Sequence, residues 1–329
     1  MPSSQRIPAF TSMVGVTEKM RAIVYRSFGE PEVLELADIP RPAPAPHEVL
    51  VRVKAAGVNP PDWKLRRTPY PPDYAEPPLV PGWDVSGVVE EVGAYVGRFK
   101  PGDEVFGMVN FPLYGGAYAE YVVARPRQFA SKPAGISHAQ AAALPMAGLT
   151  VWQAFDDIAD VSPGQRVLVH AAAGGVGHLA VQVAKLRGAY VIGTARAAKH
   201  EFVLGLGADE MIDYTGTDFA SAVSGVDLVV DIVGKDYPAR SLPLIRPGGA
   251  LIAVAGVTPE DVEAYAKAGV PQGLLIVEPD HAALASLAAL VADGSLTVHV
   301  DRVFPLAEAA KAHALMESGD FVGKLVLEI

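Results

Sequence analysis

The stretch that most constrains the fold is an apolar segment, "RVLVH", followed at once by the small residues "AAAGG" and then by "VGHLAVQVAKL". The first segment has the length and apolar character of a buried strand, and the last has the periodicity of a helix. Further along, "YVIGTA", "EMIDY", "VDLVVDIVG" and "ALIAVAG" are strand candidates with helical segments between most of them. This alternation predicts a parallel, doubly wound sheet with helices on both faces.

The first third of the chain has a different pattern, which predicts a second lobe. From Arg21 to about Arg127, short β-like segments such as "EVLVRVKAAGV" and "VSGVVEEVG" are separated by Pro, Gly and Asp, as in a compact barrel. The segment from Asn59 to Asp84 is too rich in proline for a long helix, and a loop of that length is usually functional. The sequence therefore predicts an α/β protein with a β-barrel lobe and a Rossmann-type sheet.

Composition excludes several partners and sites. The net charge of −10 argues against a nucleic-acid partner, and the absence of cysteine excludes disulfides and thiolate metal sites. No apolar run reaches the roughly 18 residues of a membrane-spanning helix, so we expect no membrane partner. The first nineteen residues lack the basic start and apolar core of a signal peptide. We therefore expect a cytoplasmic protein. Because a strand pattern begins at Met20, we expect residues 1–19 to be a disordered extension or to reflect an upstream start codon.

The turn after "RVLVH" has the spacing Ala172-x-Gly174-x-x-Gly177, which is close to a dinucleotide fingerprint with alanine at its first position. Gly174 would let the backbone approach a pyrophosphate, and Gly177 would let the helix pack closely on the strand. The anion would lie at the helix N-terminus. The alternative is a tight turn of small residues that serves packing alone. The turn residues predicted to bind the cofactor are Ala173, Gly174, Gly175, Val176 and Gly177.

The end of the next strand carries basic residues where NAD-binding proteins usually have Asp or Glu. There, "GTARAAK" supplies Thr194, Arg196 and Lys199, and Tyr214 closes the following strand with a hydroxyl group. Positive charge and hydrogen-bond donors attract a 2′-phosphate, so the predicted cofactor is NADPH. The alternative is that Arg196 and Lys199 belong only to a solvated, basic helix start.

The chain resembles the medium-chain dehydrogenase/reductase superfamily, and within it the zinc-independent branch of quinone oxidoreductases and enoyl reductases. The resemblance extends from Met20 to Ile329. It rests on ten segments in the family's order: "GEPEVLEL", "EVLVRVKAAGVNPPDWKLR", "PGWDVSGVVEEVG", "GDEVFG", "GGAYAEYVV", "ALPMAGLTVWQAF", "AAAGGVG", "DLVVDIVG", "RPGGALIAVAG" and "GKLVLEI". It implies a GroES-like catalytic domain of residues 20–145 and 280–329 and a Rossmann domain of residues 146–279. Further implied cofactor contacts are Thr150, Val233, Gly234 and Gly256.

The metal ligands of the zinc-dependent branch are missing from this sequence. "AAGVNPPD" replaces the segment with the ligand cysteine, and "PGWD", with Trp83 and Asp84, replaces the Gly-His-Glu motif. The eight histidines show no ligand spacing, so we predict no metal. A conjugated acceptor then suits hydride transfer best, because its charge spreads into an enolate or hydroquinone. The predicted activity is the NADPH-dependent reduction of quinones or α,β-unsaturated carbonyl compounds.

The resemblance also implies catalytic residues in the proline-rich segment. Asn59, Asp62 and Tyr70 match the spacing of an Asn, an Asp and a Tyr in the enoyl reductases. Asn59 would lie beside the nicotinamide and the substrate oxygen, Asp62 would fix the loop or relay a proton, and Tyr70 would donate the proton. The alternatives are a turn asparagine, an aspartate that caps local backbone and a tyrosine that covers apolar surface. Water could also supply the proton.

The resemblance also implies two alternative functions and an oligomeric state. Some relatives are NADPH-binding proteins recruited for a structural role, and others are enoyl reductases that tailor a biosynthetic product. The resemblance also implies a homodimer. The apolar segment "GLLIVE", from Gly273 to Glu278, supports the dimer because it would be the last strand of the Rossmann sheet and would have an unpaired edge.

Overall fold

The structure is a computed structural model, and it describes residues 18–68 and 76–329, except for the side chains of Asp157 and Leu274. The described chain divides into two compact units. The barrel unit contains the described residues up to Met146, together with Glu278–Ala292 and Val300–Ile329. The Rossmann unit contains Ala147–Val277 and Asp293–His299.

Strands and helices are numbered in chain order. The strands are β1 (Lys19–Val24), β2 (Glu35–Pro40), β3 (Val49–Val58), β4 (Asp84–Val92), β5 (Glu104–Met108), β6 (Tyr121–Ala124), β7 (Phe129–Ser131), β8 (Arg166–Val169), β9 (Tyr190–Ala195), β10 (Glu210–Asp213), β11 (Val226–Asp231), β12 (Ile245–Ala253), β13 (Gln272–Leu274), β14 (Val300–Pro305) and β15 (Lys324–Glu328). The α-helices are α1 (Pro60–Arg67), α2 (His138–Ala143), α3 (Pro145–Gln153), α4 (Gly177–Leu186), α5 (His200–Gly205), α6 (Phe219–Ala222), α7 (Tyr237–Ser241), α8 (Pro259–Ala268), α9 (His281–Ala292) and α10 (Ala309–Ser318).

The barrel unit is built around strand β3. A seven-stranded sheet has the order β14-β15-β3-β4-β5-β7, β6 also pairs with β3, and β1 pairs with β2 in a separate sheet. Most side chains of β3 are buried, which explains its nearly continuous apolar sequence. The register pairs Val58 with Leu325 and Gly57 with Asp84. The carboxyl end of β3 therefore meets the starts of β15 and β4.

Gly57 shows why this strand ends in small residues. A Cβ atom at this position would lie 2.3 Å from the carbonyl oxygen of Ala142 in helix α2. No real Cβ atom tolerates so short a distance, so glycine lets helix α2 pack directly on the strand.

The Rossmann unit contains a six-stranded sheet in the order β10-β9-β8-β11-β12-β13. Every neighbouring pair is parallel, which confirms the α/β class and the doubly wound sheet. Strand β8 lies between β9 and β11, so the strand order reverses direction there. In sheets of this kind ligands bind at the carboxyl ends of the strands beside that reversal.

Three predicted boundaries differ from the structure. Strand β1 begins at Lys19, so the predicted extension of residues 1–19 wrongly includes the first residue of this strand. Residues 1–17 lie outside the described residues. The last strand of the Rossmann sheet is shorter than "GLLIVE" and covers only Gln272–Leu274, although it does lie at the sheet edge.

The third difference concerns residues 293–299, which we predicted in the GroES-like domain. They belong to the Rossmann unit because Gln182 of α4 holds them there. Its Nε2 donates to the carbonyl oxygen of Thr297 at 3.0 Å, and its Oε1 accepts from the N–H of the same residue at 2.8 Å. In the described part of the chain, no helix has the length and hydropathy to cross a membrane.

Candidate functional site

Asn59, predicted as a catalytic residue, lies where β3 ends and helix α1 begins, and only 2% of it is exposed. Two prolines follow it in the first turn of α1, where a missing N–H costs nothing. Its side chain is held from both ends. Nδ2 donates to Oδ2 of Asp84 at 2.9 Å, and Oδ1 accepts a hydrogen bond from Nζ of Lys324.

Asp84 and Lys324 complete this buried polar cluster, and both are almost fully buried. Asp84 also accepts from the N–H of Met146 at 3.0 Å, and Lys324 also donates to the carbonyl oxygen of Val58 at 3.0 Å. Burial raises the pKa of Asp84 to about 6, although Lys324 acts in the opposite direction. Burial also lowers the pKa of Lys324. The ammonium group therefore compensates carboxylate charge among side chains that are almost fully buried.

Asp62 lies one turn into helix α1 and is equally buried. Its Oδ2 accepts from the N–H of Asn59 at 2.7 Å and from the hydroxyl of Tyr118 at 2.8 Å. Its Oδ1 has no hydrogen-bond partner among the described residues, and Asp62 lines a cavity of about 20 Å³. Burial raises the pKa of Asp62 to about 7. This carboxyl group can therefore gain or lose a proton near neutral pH.

Tyr118 and His313 form the far side of the cluster. The Tyr118 hydroxyl lies 3.3 Å from Nε2 of His313, and their rings meet edge to face. Burial lowers the pKa of His313 to about 3, so its imidazole is neutral at physiological pH. Burial and the neighbouring Asp62 raise the pKa of Tyr118 well above its ordinary value. Tyr118 thus remains a hydrogen-bond donor to Asp62.

Sequence reasoning missed Lys324, Tyr118 and His313, and it noted Asp84 only as a replaced metal-ligand position. Lys324 could have been noticed, because a lysine at the start of the apolar segment "KLVLEI" is unusual in a strand that is buried along most of its length. Tyr70 lies outside the described residues, so its role stays a prediction. Among the residues that the structure describes, no group of three or more His, Asp or Glu side chains could hold a metal ion.

The glycine-rich turn of the Rossmann unit connects β8 to α4. Ala171 has a positive φ of 48°, and the N–H of Gly174 donates to its carbonyl oxygen at 2.9 Å. A Cβ atom on Gly177 would lie 2.3 Å from that same oxygen, so only glycine fits there. The N–H groups of Ala173, Gly175 and Val176 donate no hydrogen bond to other described residues. The turn therefore offers backbone donors at a helix N-terminus, which fits a pyrophosphate.

Arg196 and Tyr214, predicted at the ribose end, directly follow adjacent strands, and Lys199 lies three residues beyond Arg196. Asp213 pairs with Ala195, so Tyr214 and Arg196 follow neighbouring positions of β10 and β9. Arg196 and Lys199 are half-buried, and Tyr214 is 42% exposed. These side chains fit a phosphate group at the carboxyl edge of the sheet.

Thr194 differs from the prediction, because it is fully buried. Its hydroxyl lies 3.2 Å from Nδ1 of His170, and Nε2 of His170 lies 3.0 Å from the hydroxyl of Ser241. Burial lowers the pKa of His170 to about 3, so this histidine is neutral and bridges two hydroxyl groups beneath the turn. Thr194 thus supports the sheet and does not present its hydroxyl to a phosphate.

The remaining predicted cofactor residues lie in loops and in one helix. The N–H groups of Val233 and Gly234 donate to the carboxylate of Asp231 at 2.9 and 3.1 Å. The carbonyl oxygen of Gly234 accepts from the N–H of Tyr237 at 3.1 Å. Gly256 follows β12 with a positive φ of 107°. Thr150 is buried in helix α3.

Comparisons with known proteins agree with this architecture. Residues 45–134 match the alcohol dehydrogenase GroES-like domain, and residues 206–327 match the zinc-binding dehydrogenase family. A chloroplastic quinone-oxidoreductase homolog of Spinacia oleracea is 33% identical over 94% of this chain and 98% of its own. The chloroplastic NADPH-dependent alkenal/one oxidoreductase of Arabidopsis thaliana is 34% identical over 96% of this chain and 81% of its own. Escherichia coli quinone oxidoreductase, solved with NADPH, superimposes with a TM-score of 0.87 at 31% identity over 94% of this chain and 100% of its own.

The raised pKa of Asp62 predicts how stability depends on pH. Folding favours the protonated carboxyl, so its contribution to stability is complete below pH 3.8 and is lost as the pH rises through about 7. Asp62→Asn removes this titration. The free energy of unfolding of the unchanged protein, relative to the variant, should therefore fall by more than about 1 kcal/mol between pH 4 and pH 8 in urea denaturation.

Asp293→Asn is the matched control, because Asp293 is exposed and hydrogen bonds from Ser295 lower its pKa. Between pH 4 and pH 8, the free energy of unfolding of the unchanged protein relative to Asp293→Asn should stay constant or rise. If the free energy of unfolding relative to Asp62→Asn does not change with pH, the raised pKa of Asp62 is contradicted.

Proposed function

Because the chain belongs to the medium-chain dehydrogenase/reductase family of quinone and enoyl reductases, we propose that it reduces quinones or α,β-unsaturated carbonyl compounds with NADPH. The observation that carries this proposal is the turn between β8 and α4, with its unused backbone donors and the basic Arg196 one strand away. NADPH, when bound, supplies the hydride. Side chains and backbone groups of this chain bind the cofactor, orient the substrate and donate the proton.

The Rossmann unit binds the cofactor in this proposal. The N–H groups of the turn and the start of α4 hold the pyrophosphate, and Arg196, Lys199 and Tyr214 hold the 2′-phosphate. Arginine suits this position because its planar guanidinium bonds two phosphate oxygens at once. Backbone groups of Val233, Gly234 and Gly256 and the side chain of Thr150 complete the cofactor contacts.

The barrel unit orients the groups that act on the substrate. Lys324 and Asp84 fix the amide of Asn59, which we place beside the substrate oxygen. Asp62 holds the start of helix α1 and is able to move a proton, while Tyr70 donates the proton to the enolate. The sequence lacks the cysteine and the Gly-His-Glu motif of the zinc-dependent branch, so charge on the oxygen must be stabilised by hydrogen bonds and by conjugation.

A turnover assay tests the function directly. We expect the purified protein to consume NADPH, followed by its absorbance, when a benzoquinone or a small enone is added. If NADPH fluorescence shows binding while no acceptor in the panel is reduced, the reductase proposal fails and a non-catalytic NADPH-binding protein takes its place.

Arg196→Asp should weaken NADPH binding by about tenfold or more and leave NADH binding nearly unchanged, because it replaces attraction to the 2′-phosphate by repulsion. Fluorescence titration with both cofactors measures this change. Lys267→Asp, an exposed position of helix α8, alters the net charge equally and should affect neither affinity. Equal affinity of the unchanged protein for NADPH and NADH would overturn the assignment.

Tyr70→Phe should lower kcat by about a hundredfold with little change in NADPH affinity, since a phenol with a pKa near 10 is protonated at neutral pH and able to donate. Tyr95→Phe, at an 83% exposed position, is the control and should keep full activity. If water donates instead, the rate falls only a few-fold and the configuration at the α carbon of an α-methyl enone product changes. Unchanged rate and configuration would assign Tyr70 to packing.

We propose a cytoplasmic homodimer as the working form. The edge position of β13 and the 63% exposed side chain of Ile276, two residues beyond it, support an interface at this edge of the Rossmann sheet. Sedimentation at micromolar concentration should give about twice the mass of one chain. A single species near 34.5 kDa would refute the dimer.

A further inference from the structure

A basic depression lies on the barrel unit, away from the residues discussed so far. It is open to solvent, has a volume of about 540 Å³ and is lined by His47, Arg98, Arg125, Pro126 and Arg127. The three arginines and the histidine are all exposed. The proposed reaction uses none of them.

Strand pairing explains why these residues meet. Val49 at the start of β3 pairs with Val92 at the end of β4 and with Ala124 at the end of β6. The loops next to these three strand ends therefore lie together, and each of them carries a basic residue. The N–H of Tyr95 donates to the carbonyl oxygen of Pro46 at 2.7 Å, which ties the loop before Arg98 to the loop of His47.

The basic side chains of the depression have no carboxylate partner among the residues that the structure describes. Acidic side chains of β4 are already paired, Glu91 with Arg41 and Glu90 with Arg52, and Glu48 accepts from the N–H of Ala45. None of the four basic side chains that line the depression forms an ion pair with a described residue. In a chain with a net charge of −10, the depression therefore gathers positive charge that attracts anions.

We propose that this depression is a binding site for an anion that carries two or more phosphate groups. Arginine recognises phosphate with two parallel hydrogen bonds, and separate arginines on three loops suit separate phosphate groups. The site is distinct from the candidate active site, because Asn59 follows the opposite end of the ten-residue strand β3. At about 3.3 Å per residue the two ends lie about 30 Å apart. A soluble oligophosphate and a phosphoinositide headgroup share the required chemistry.

The test is a calorimetric titration of the whole protein with tripolyphosphate at low salt. The variant R98Q/R125Q/R127Q should bind about tenfold more weakly or worse. The control R21Q/R26Q/R302Q changes the net charge by the same amount at exposed positions elsewhere on the barrel unit and should bind within about twofold of the unchanged protein. All titrations are carried out with saturating NADPH, which occupies the proposed cofactor site, so that tripolyphosphate binding reports the depression.

Co-sedimentation with vesicles of phosphatidylcholine, with and without a phosphoinositide bisphosphate, distinguishes the two sources. Binding of tripolyphosphate alone assigns a soluble ligand, and additional arginine-dependent binding to the phosphoinositide vesicles assigns a lipid headgroup. The proposal is overturned if neither probe binds or if the depression variant and the control lose affinity equally. NADPH consumption should be the same in the depression variant and the unchanged protein, so this result is independent of the proposed reductase activity.

Discussion

The polar arrangement of the barrel unit depends on the buried ammonium group of Lys324. Asn59, Asp62 and Asp84 are all removed from water, and ionised carboxylates are costly there unless a cation compensates them. Lys324 reaches this position because β15 runs antiparallel to β3 and begins where β3 ends. The C-terminal strand therefore completes the sheet and also supplies the charge that makes a polar cluster tolerable beside an apolar core.

The parts of the structure that could be predicted from the sequence are those determined by residues close to one another in the chain. Strand β8, its turn and helix α4 form one continuous segment, and Gly177 is required by a backbone atom only six residues away. The cluster around Asn59 is different, since Asn59 and Lys324 are 265 residues apart. Asn59 and Asp62 could be named from their spacing, but their partners depend on the register of three strands, which no local pattern reveals.

The same reasoning explains the differences at boundaries and at Thr194. Residues 293–299 pack with the Rossmann unit, where Gln182 satisfies both backbone groups of Thr297 and His178 accepts from the N–H of His299. Such isolated hydrogen bonds have no sequence signature. Thr194 was predicted to face a phosphate because donors cluster around it in sequence. Thr194 lies inside strand β9, however, where it is fully buried and its hydroxyl meets the buried His170, whereas Arg196 follows the end of the strand.

The partners of Asn59 also determine what its side chain is able to offer to a substrate. Lysine has only hydrogen-bond donors and an ionised aspartate only acceptors, so Lys324 must meet the amide oxygen and Asp84 the amide nitrogen. The carbonyl end is thereby occupied by the ammonium group, while the nitrogen retains a second N–H. For the proposed reaction, this orientation makes Asn59 a donor to a substrate oxygen that gains negative charge, whereas a reversed amide would present an acceptor that repels it.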